Sequence, residues 1–363
     1  MNDPAVWRVV GSPLVPGAAG GPLAGETVAV KDLFAVRGFA TGAGVPAYLA
    51  GQAPNADHAT AVERLLAAGA DVRGIAQTDQ FAYSLAGDNP HYGTPVNAAV
   101  PGALPGGSSS GSATAVALGA ATIGLGTDTA GSIRIPASYQ GLWGLRTTHG
   151  AVPSDGILGL APDFDAVGLL TRTPGLLSRA AAALIGPDSA APSADVIDLA
   201  DLGLDLASLA AAFAIRQGFQ AWQLHGPWIR AHPDALRGWA AERFQIARHV
   251  TEDDDKAARR ALDQGRGEIE KRLDTGILSL PAAACAAPRV GSSDAQLQAI
   301  RTANLRLTCV AGISGRPAVC VPASDTPDGP VGRCYVGPPG SDLALVAWAA
   351  DHTEHGRHQP FTS

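Results

Sequence analysis

Apolar residues along this chain fall into two patterns. The first is the short unbroken run. Thr27 to Val30, Asp71 to Ala76, Ala121 to Leu125, Gly276 to Pro281 and Pro330 to Gly337 each read as a strand. The second is helical spacing. In His58 to Ala70 the apolar positions are Ala59, Val62, Leu65, Leu66 and Ala70, with Gly69 near the end. Helical patterns also cover Ala113 to Leu118, Ala211 to Leu224, Leu236 to Val250, Asp253 to Leu273 and Ser293 to Val310. The early strand–helix–strand rhythm predicts a sheet with helices on its faces. Between these elements, the Gly/Pro/Ala-rich end of residues 1–20 predicts a surface arm or loop. Residues 79–97 read as a long loop, 186–198 as a loop or linker, and 352–363 as a frayed polar end. There is no internal repeat.

At 363 residues there is room for a sizeable core. A hydrophobic content of 46% argues against extensive disorder. The net charge is −7 and the basic residues are scattered, which argues against a nucleic-acid partner. The first residues lack a secretory pattern, and no apolar run approaches the roughly 18 residues of a membrane span. A cytoplasmic protein is expected. Cys285, Cys309, Cys320 and Cys334 lack metal-ligand spacing and read as reduced, buried thiols. No metal or other cofactor is expected.

The chemistry concentrates in residues 105–136, PGGSSSGSATAVALGAATIGLGTDTAGSIRIP. Two serine-bearing turns, at 106–112 and 128–132, are joined by one helix and one strand. Such turns can present hydroxyls and free backbone N–H groups together, as acyl transfer requires. Lys31 closes the apolar strand at 27–30, and only three of the 26 basic residues are lysines. A desolvated lysine can lose its proton where arginine cannot; the structural alternative is a lysine snorkelling from a strand end. Gly107-Ser108-Ser109-Ser110-Gly111 also spells a nucleophile elbow on Ser109, but the two prolines in 98–105 argue against the strand it needs. No lysine follows these glycines in phosphate-loop spacing. His149, the histidine nearest Ser132 in sequence, reads as scaffold, and His91 and Tyr92 as structural.

Gly106-Gly107-Ser108-Ser109, followed by Ala130-Gly131-Ser132-Ile133-Arg134-Ile135-Pro136, resembles the core of the amidase signature family. The 24 positions from Ser108 to Ser132 match that family's interval. The likeness extends over 25–173 and returns more weakly over 312–340. It implies Ser132 as nucleophile, Ser108 as bridge and Lys31 as base, with a cis peptide bond before Ser108. It also implies an oxyanion site from the N–H groups of Thr129, Ala130, Gly131 and Ser132, with Ser109 beside the substrate. Asp128 and Arg134 would brace the turn. Ser110 and Ala130 replace residues that are often glycine.

The implied fold is α/β, a mixed, mostly parallel, twisted sheet sandwiched between helices. One domain, 1–363, would hold the signature core at about 25–173, a helical region at 204–273 and a returning sheet segment at 276–340. The implied activity is hydrolysis of a small carboxamide, with no nucleic-acid or membrane partner and a homodimer left open. The stretch 82–97 and the serine loop look closest to plant-type indole-3-acetamide hydrolases and bacterial relatives. Trp222, Trp228, Trp239 and Phe244 could then line an aromatic pocket or fill the core. The chain is short for the family, so a role like that of the A component of glutaminyl-tRNA amidotransferases, working with partner proteins, stays open. So does a non-catalytic scaffold, as in a chloroplast import receptor of the family.

Overall fold

The computed structural model describes residues 3–355 apart from 189 and 194. The chain opens with β1 (Trp7–Val15), β2 (Thr27–Lys31), helices α1 (Pro46–Ala50) and α2 (Thr60–Ala67), and β3 (Asp71–Ala76). Helix α3 (Ser110–Ala117), β4 (Ile123–Asp128), α4 (Arg134–Gln140), β5 (Trp143–Arg146), β6 (Ala166–Thr171) and α5 (Pro174–Ile185) follow. After β7 (Val196–Asp198) come α6 (Leu206–Ala231), α7 (Gly238–Ala247), α8 (Glu252–Leu273) and β8 (Ile277–Pro281). The chain then runs through α9 (Asp294–Ser314), β9 (Ala318–Thr326), β10 (Gly329–Val336) and α10 (Asp342–His355).

All ten strands form one sheet, ordered β1-β3-β2-β4-β6-β5-β9-β10-β8-β7. The α/β reading and the mixed sheet hold. The expectation of a mostly parallel sheet does not, because only β2–β3, β2–β4 and β7–β8 are parallel. The other six pairings are antiparallel. The parallel part is the segment whose strand–helix–strand rhythm is local. Residues 1–20 also differ from expectation, since Trp7–Val15 is an edge strand on β3. Its register is interrupted twice, as an edge tolerates. The loop expected at 186–198 ends in β7, and α10 carries helix to His355; the rest of the expected frayed end, 356–363, lies outside the described residues.

Burial follows the sequence pattern. In β2, Val28, Ala29 and Val30 are fully buried, and β4 is buried along its whole length. Leu169 and Leu170 belong to different apolar clusters, as do Val319 and Cys320. Successive strand residues point to opposite faces, so the two clusters pack on opposite sides of the sheet. Helices α2, α5 and α10 cover one side; α3, α4, α9 and the start of α6 cover the other. Caps fix where helices begin: Thr173 on α5, a Thr251–Asp254 capping box on α8, and Ser293 on α9.

Because β2 and β4 run parallel, with Val30 opposite Leu125, their C-terminal ends emerge side by side. Lys31 stands at one end and Thr127 and Asp128 at the other, which is where open α/β sheets place ligands. Truncating the sheet centre should be costly. Leu169→Ala is expected to lower stability by about 2–5 kcal/mol, and Ile246→Ala, on an exposed position, by less than about 0.5 kcal/mol. Urea unfolding of the two variants checks this.

Candidate active site

Lys31 is completely buried. Its Nζ lies 2.8 Å from Ser108 Oγ, 3.1 Å from Ser109 Oγ and 2.9 Å from Thr127 Oγ1. No carboxylate forms an ion pair with it among the described residues. Burial pushes its pKa down from 10.5 to about 7, against the opposing pull of Asp79, Asp128 and Asp165. A neutral amine donates two hydrogen bonds and accepts one, so three surrounding hydroxyls match it. Ser108 Oγ in turn lies 3.0 Å from Ser132 Oγ. An unbroken chain of hydrogen-bonding atoms thus runs from Lys31 through Ser108 to Ser132.

The backbone around this chain is fixed on both sides. The Gly107–Ser108 peptide bond is cis. Thr78 Oγ1 donates to Ser108 O at 2.9 Å, and Ser109 N donates to Ser132 O at 3.3 Å. A Cβ on Gly107 would stand 2.7 Å from the backbone N of Gly87 as well as 2.5 Å from Asp79 Oδ2, so only glycine passes there. Ser110 opens α3 with its hydroxyl 3.5 Å from Asp79 Oδ1. Burial, with Asp88 nearby, raises the Asp79 carboxyl to about 7.

Asp128 organises the second turn. Its carboxylate accepts from Gly131 N at 3.0 Å, Ile133 N at 3.1 Å, Arg134 Nε at 3.0 Å and Arg134 Nη2 at 2.7 Å. Arg146 Nη1 lies 3.4 Å from the same carboxylate and also donates to the Asp128 carbonyl. Burial would raise this carboxyl, but the two guanidinium groups outweigh it and hold it well below the usual range. Arg134 Nη1 continues to Thr308 O at 2.9 Å, and Thr308 Oγ1 donates to Ala130 O at 2.7 Å. Gly131 has a φ of 115°, and a Cβ there would meet Thr308 Cγ2 at 2.9 Å. The bracing expected of Asp128 and Arg134 is present.

Among the described residues, the N–H groups of Thr129, Ala130 and Ser132 make no hydrogen bond. Gly131 N–H, the fourth donor expected, is already engaged by Asp128. Ser109 also differs from expectation. It is fully buried, contacts Lys31 and donates to Thr127 O at 3.2 Å, so it sits behind the lysine rather than on a cavity.

A cavity of about 210 Å³ opens on Ser132, lined also by Thr129, Ala130, Tyr83, Ser84, Leu85 and Leu160. The long loop at 79–97 therefore supplies one wall. Gln217, Arg243 and Arg301 complete it. A neighbouring cavity of about 390 Å³ shares Ser84, Leu85, Arg243 and Arg301, and Trp239 lines it. Trp222, Trp228 and Phe244 line neither. Phe244 packs edge-on against Phe81 and Tyr83, and Trp228 against Tyr48 and Phe81, so these rings fill the core. His149 is exposed, with Nδ1 3.0 Å from Asp165 O. His91 Nε2 bridges Gln80 Oε1 and Ala235 O, both at 3.1 Å. Neither histidine lines the cavity at Ser132.

Thr127, Arg146, Thr308, Gln217, Arg243 and Arg301 were missed by sequence reasoning. Thr127 was reachable, since it immediately precedes Asp128 on a strand beside that of Lys31. The others come from distant segments without a motif. No group of histidine, cysteine or acidic side chains among the described residues could hold a metal ion. No helix among them is long and apolar enough to cross a membrane. All four thiols are unpaired, three of them buried.

A family model described as Amidase matches residues 13–217. Amidase 1 of Oryza sativa subsp. japonica is 33% identical over 389 residues, covering 90% of this chain and 89% of that one. The A component of the glutamyl-tRNA(Gln) amidotransferase of Symbiobacterium thermophilum is 44% identical over 168 residues, 46% of this chain and 34% of that one. A crystal structure titled as an amidase superposes with a TM-score of 0.82 at 30% identity, covering 92% of this chain and 86% of that one.

Arg134→Met leaves a buried carboxylate with a single guanidinium and should cost about 3–5 kcal/mol. The native Asp128 carboxyl is held low, so its contribution is present above the ordinary carboxylate range and is lost as pH falls through the native value. Urea unfolding at pH 7 and in strong acid should therefore show a gap between wild type and variant that shrinks in acid.

Proposed function

The chain belongs to the amidase family, and from that premise we propose that it hydrolyses a small carboxamide to a carboxylate and ammonia or an amine. The observation that carries this reading is the unbroken relay Lys31–Ser108–Ser132, with spacings of 2.8 and 3.0 Å. An amide is a weak electrophile with a poor leaving group. Its hydrolysis needs a deprotonated nucleophile, donors for the oxyanion and a proton for the departing nitrogen.

In the proposed sequence, Ser132 Oγ attacks the carbonyl carbon while its proton passes to Ser108, whose own proton passes to Lys31. The N–H groups of Thr129, Ala130 and Ser132 take up the developing oxyanion; one such donor is typically worth about 2.7–4 kcal/mol. The carbon–nitrogen bond then breaks as the relay returns a proton to the leaving nitrogen. Water, deprotonated by the same relay, attacks the acyl-enzyme and releases the carboxylate and free Ser132. A lysine whose pKa is already near neutrality can take and return that proton without an auxiliary base.

The continuous sheet supports one catalytic domain, and the unpaired thiols support a cytoplasmic setting. The sequence likeness to the A component of an amidotransferase supports a second reading, in which the released ammonia is delivered through partner proteins. Ammonia release from a simple amide by the isolated chain favours the first. A non-catalytic scaffold would not need all three reacting groups in line.

Ser132→Ala and Lys31→Ala are each expected to lower amide hydrolysis by roughly a thousandfold or more with circular dichroism unchanged; near-wild-type turnover by either contradicts the mechanism. Lys31 must be neutral to act, so kcat/KM should rise with pH through an apparent pKa of about 7. Lys31→Arg cannot lose its proton and should stay inactive across that pH range.

A further inference from the structure

The cavity at Ser132 holds two cations that the relay does not use. Arg243 reaches in from α7 and Arg301 from α9. Both are half-buried. Arg8, Arg134, Arg146, Arg216 and Arg316, also buried or half-buried, each meet a carboxylate or carbonyls, although Arg146 and Arg316 also leave buried guanidinium nitrogens unsatisfied. Arg134 and Arg146 face Asp128, Arg216 faces Asp163 and Asp255, and Arg8 faces Asp32. Arg316, which lacks a carboxylate, donates to the carbonyls of Gly337 and Asp274. Arg243 has one hydrogen bond, from Nη1 to Tyr83 O at 2.6 Å, and its guanidinium lies 6.0 Å from the centre of the Tyr83 ring. Among the described residues Arg301 makes no hydrogen bond and no ion pair, and its Nε is buried without a partner.

Two guanidinium groups sharing one wall repel each other, and burial adds to that cost. Both groups stay charged, with a pKa pushed down by burial first and, for Arg243, by Arg301 as well. Asp79, Asp88 and Tyr83 act on Arg243 from neighbouring elements, but neither carboxylate comes within ion-pair distance. An anion entering the cavity would relieve the repulsion and fill the guanidinium forks, which suit a carboxylate. The same wall carries Gln217 Oε1, buried and without a hydrogen bond, an acceptor for an amide N–H. The space is small, bounded by the loop at 82–85 on one side and the serine turn on the other.

Resting on the amidase reading above, we propose that this cavity selects a short amide that also bears a carboxylate, the monoamide of a small dicarboxylic acid. Its carboxylate would be clasped by Arg243 and Arg301, its amide held at Ser132.

The test compares ammonia release from succinamate with release from succinamide, its neutral counterpart, alongside calorimetric titration with succinate. The expected kcat/KM ratio favours succinamate by on the order of 100-fold. Arg243→Met and Arg301→Met should each reduce that ratio tenfold or more, and Arg301→Lys should recover part of it. Equal or better turnover of succinamide by wild type, or a ratio unmoved in both Met variants, overturns the anionic substrate while leaving amide hydrolysis intact. If neither amide is hydrolysed but succinate binds and Arg301→Met abolishes the binding, the anion subsite stands and the hydrolase reading falls. No hydrolysis and no succinate binding overturns both.

Discussion

Removal of Lys31 from water is the constraint on which the rest of this molecule depends. An ammonium group placed on a fully apolar strand end and given only hydroxyl partners is costly to keep charged. The fold meets that cost by lowering the pKa rather than by supplying an ion pair. Asp79 is the carboxyl whose charge would resist this most, and burial weakens it in turn by raising its own pKa to about 7. Ser109 and Thr127 then serve as geometry, fixing Nζ so that Ser108 lies between it and Ser132.

The second turn solves the opposite problem. Asp128 is kept charged at full burial by two arginines and by backbone N–H groups. The charge locks Gly131 and Ile133 in place and leaves the N–H groups of Thr129, Ala130 and Ser132 unbonded. One carboxylate thus stiffens the turn while another, Asp79, is partly neutralised a short distance away. The parallel pairing of β2 and β4 brings the two environments to one sheet end. A third cationic element, Arg243 and Arg301, faces the cavity without a counterion among the described residues and gives it a charge that the relay itself lacks.

Much of this was legible in the letters. Ser108 and Ser132 sit 24 positions apart in one continuous stretch. Lys31, 77 positions from Ser108, was joined to them only by the family resemblance, and β2, α2 and β3 form a unit that periodicity alone describes. The sheet beyond that was not legible. Pairings such as Leu125 with Leu169 and Leu145 with Val319 link residues far apart in sequence, and no local pattern records their direction. Trp7–Val15 was hidden because an edge strand can carry the glycine and proline that mark loops elsewhere. Ser109 was misplaced because its motif fixes its identity and not which way its hydroxyl turns. Arg243 and Arg301 were invisible for a different reason. Each lies in an ordinary polar helix pattern, and only the packing of α7 and α9 around the serines turns them inward.

Whether burial of Lys31 activates Ser132 can be read directly by intact-mass spectrometry and peptide mapping after treatment with a small fluorophosphonate, on wild type and on Lys31→Met. Activation through the relay predicts one adduct, on Ser132, in the wild type and no more than slow labelling in the variant. An adduct on Ser109, or equally fast labelling of Ser132 without the lysine, would contradict it.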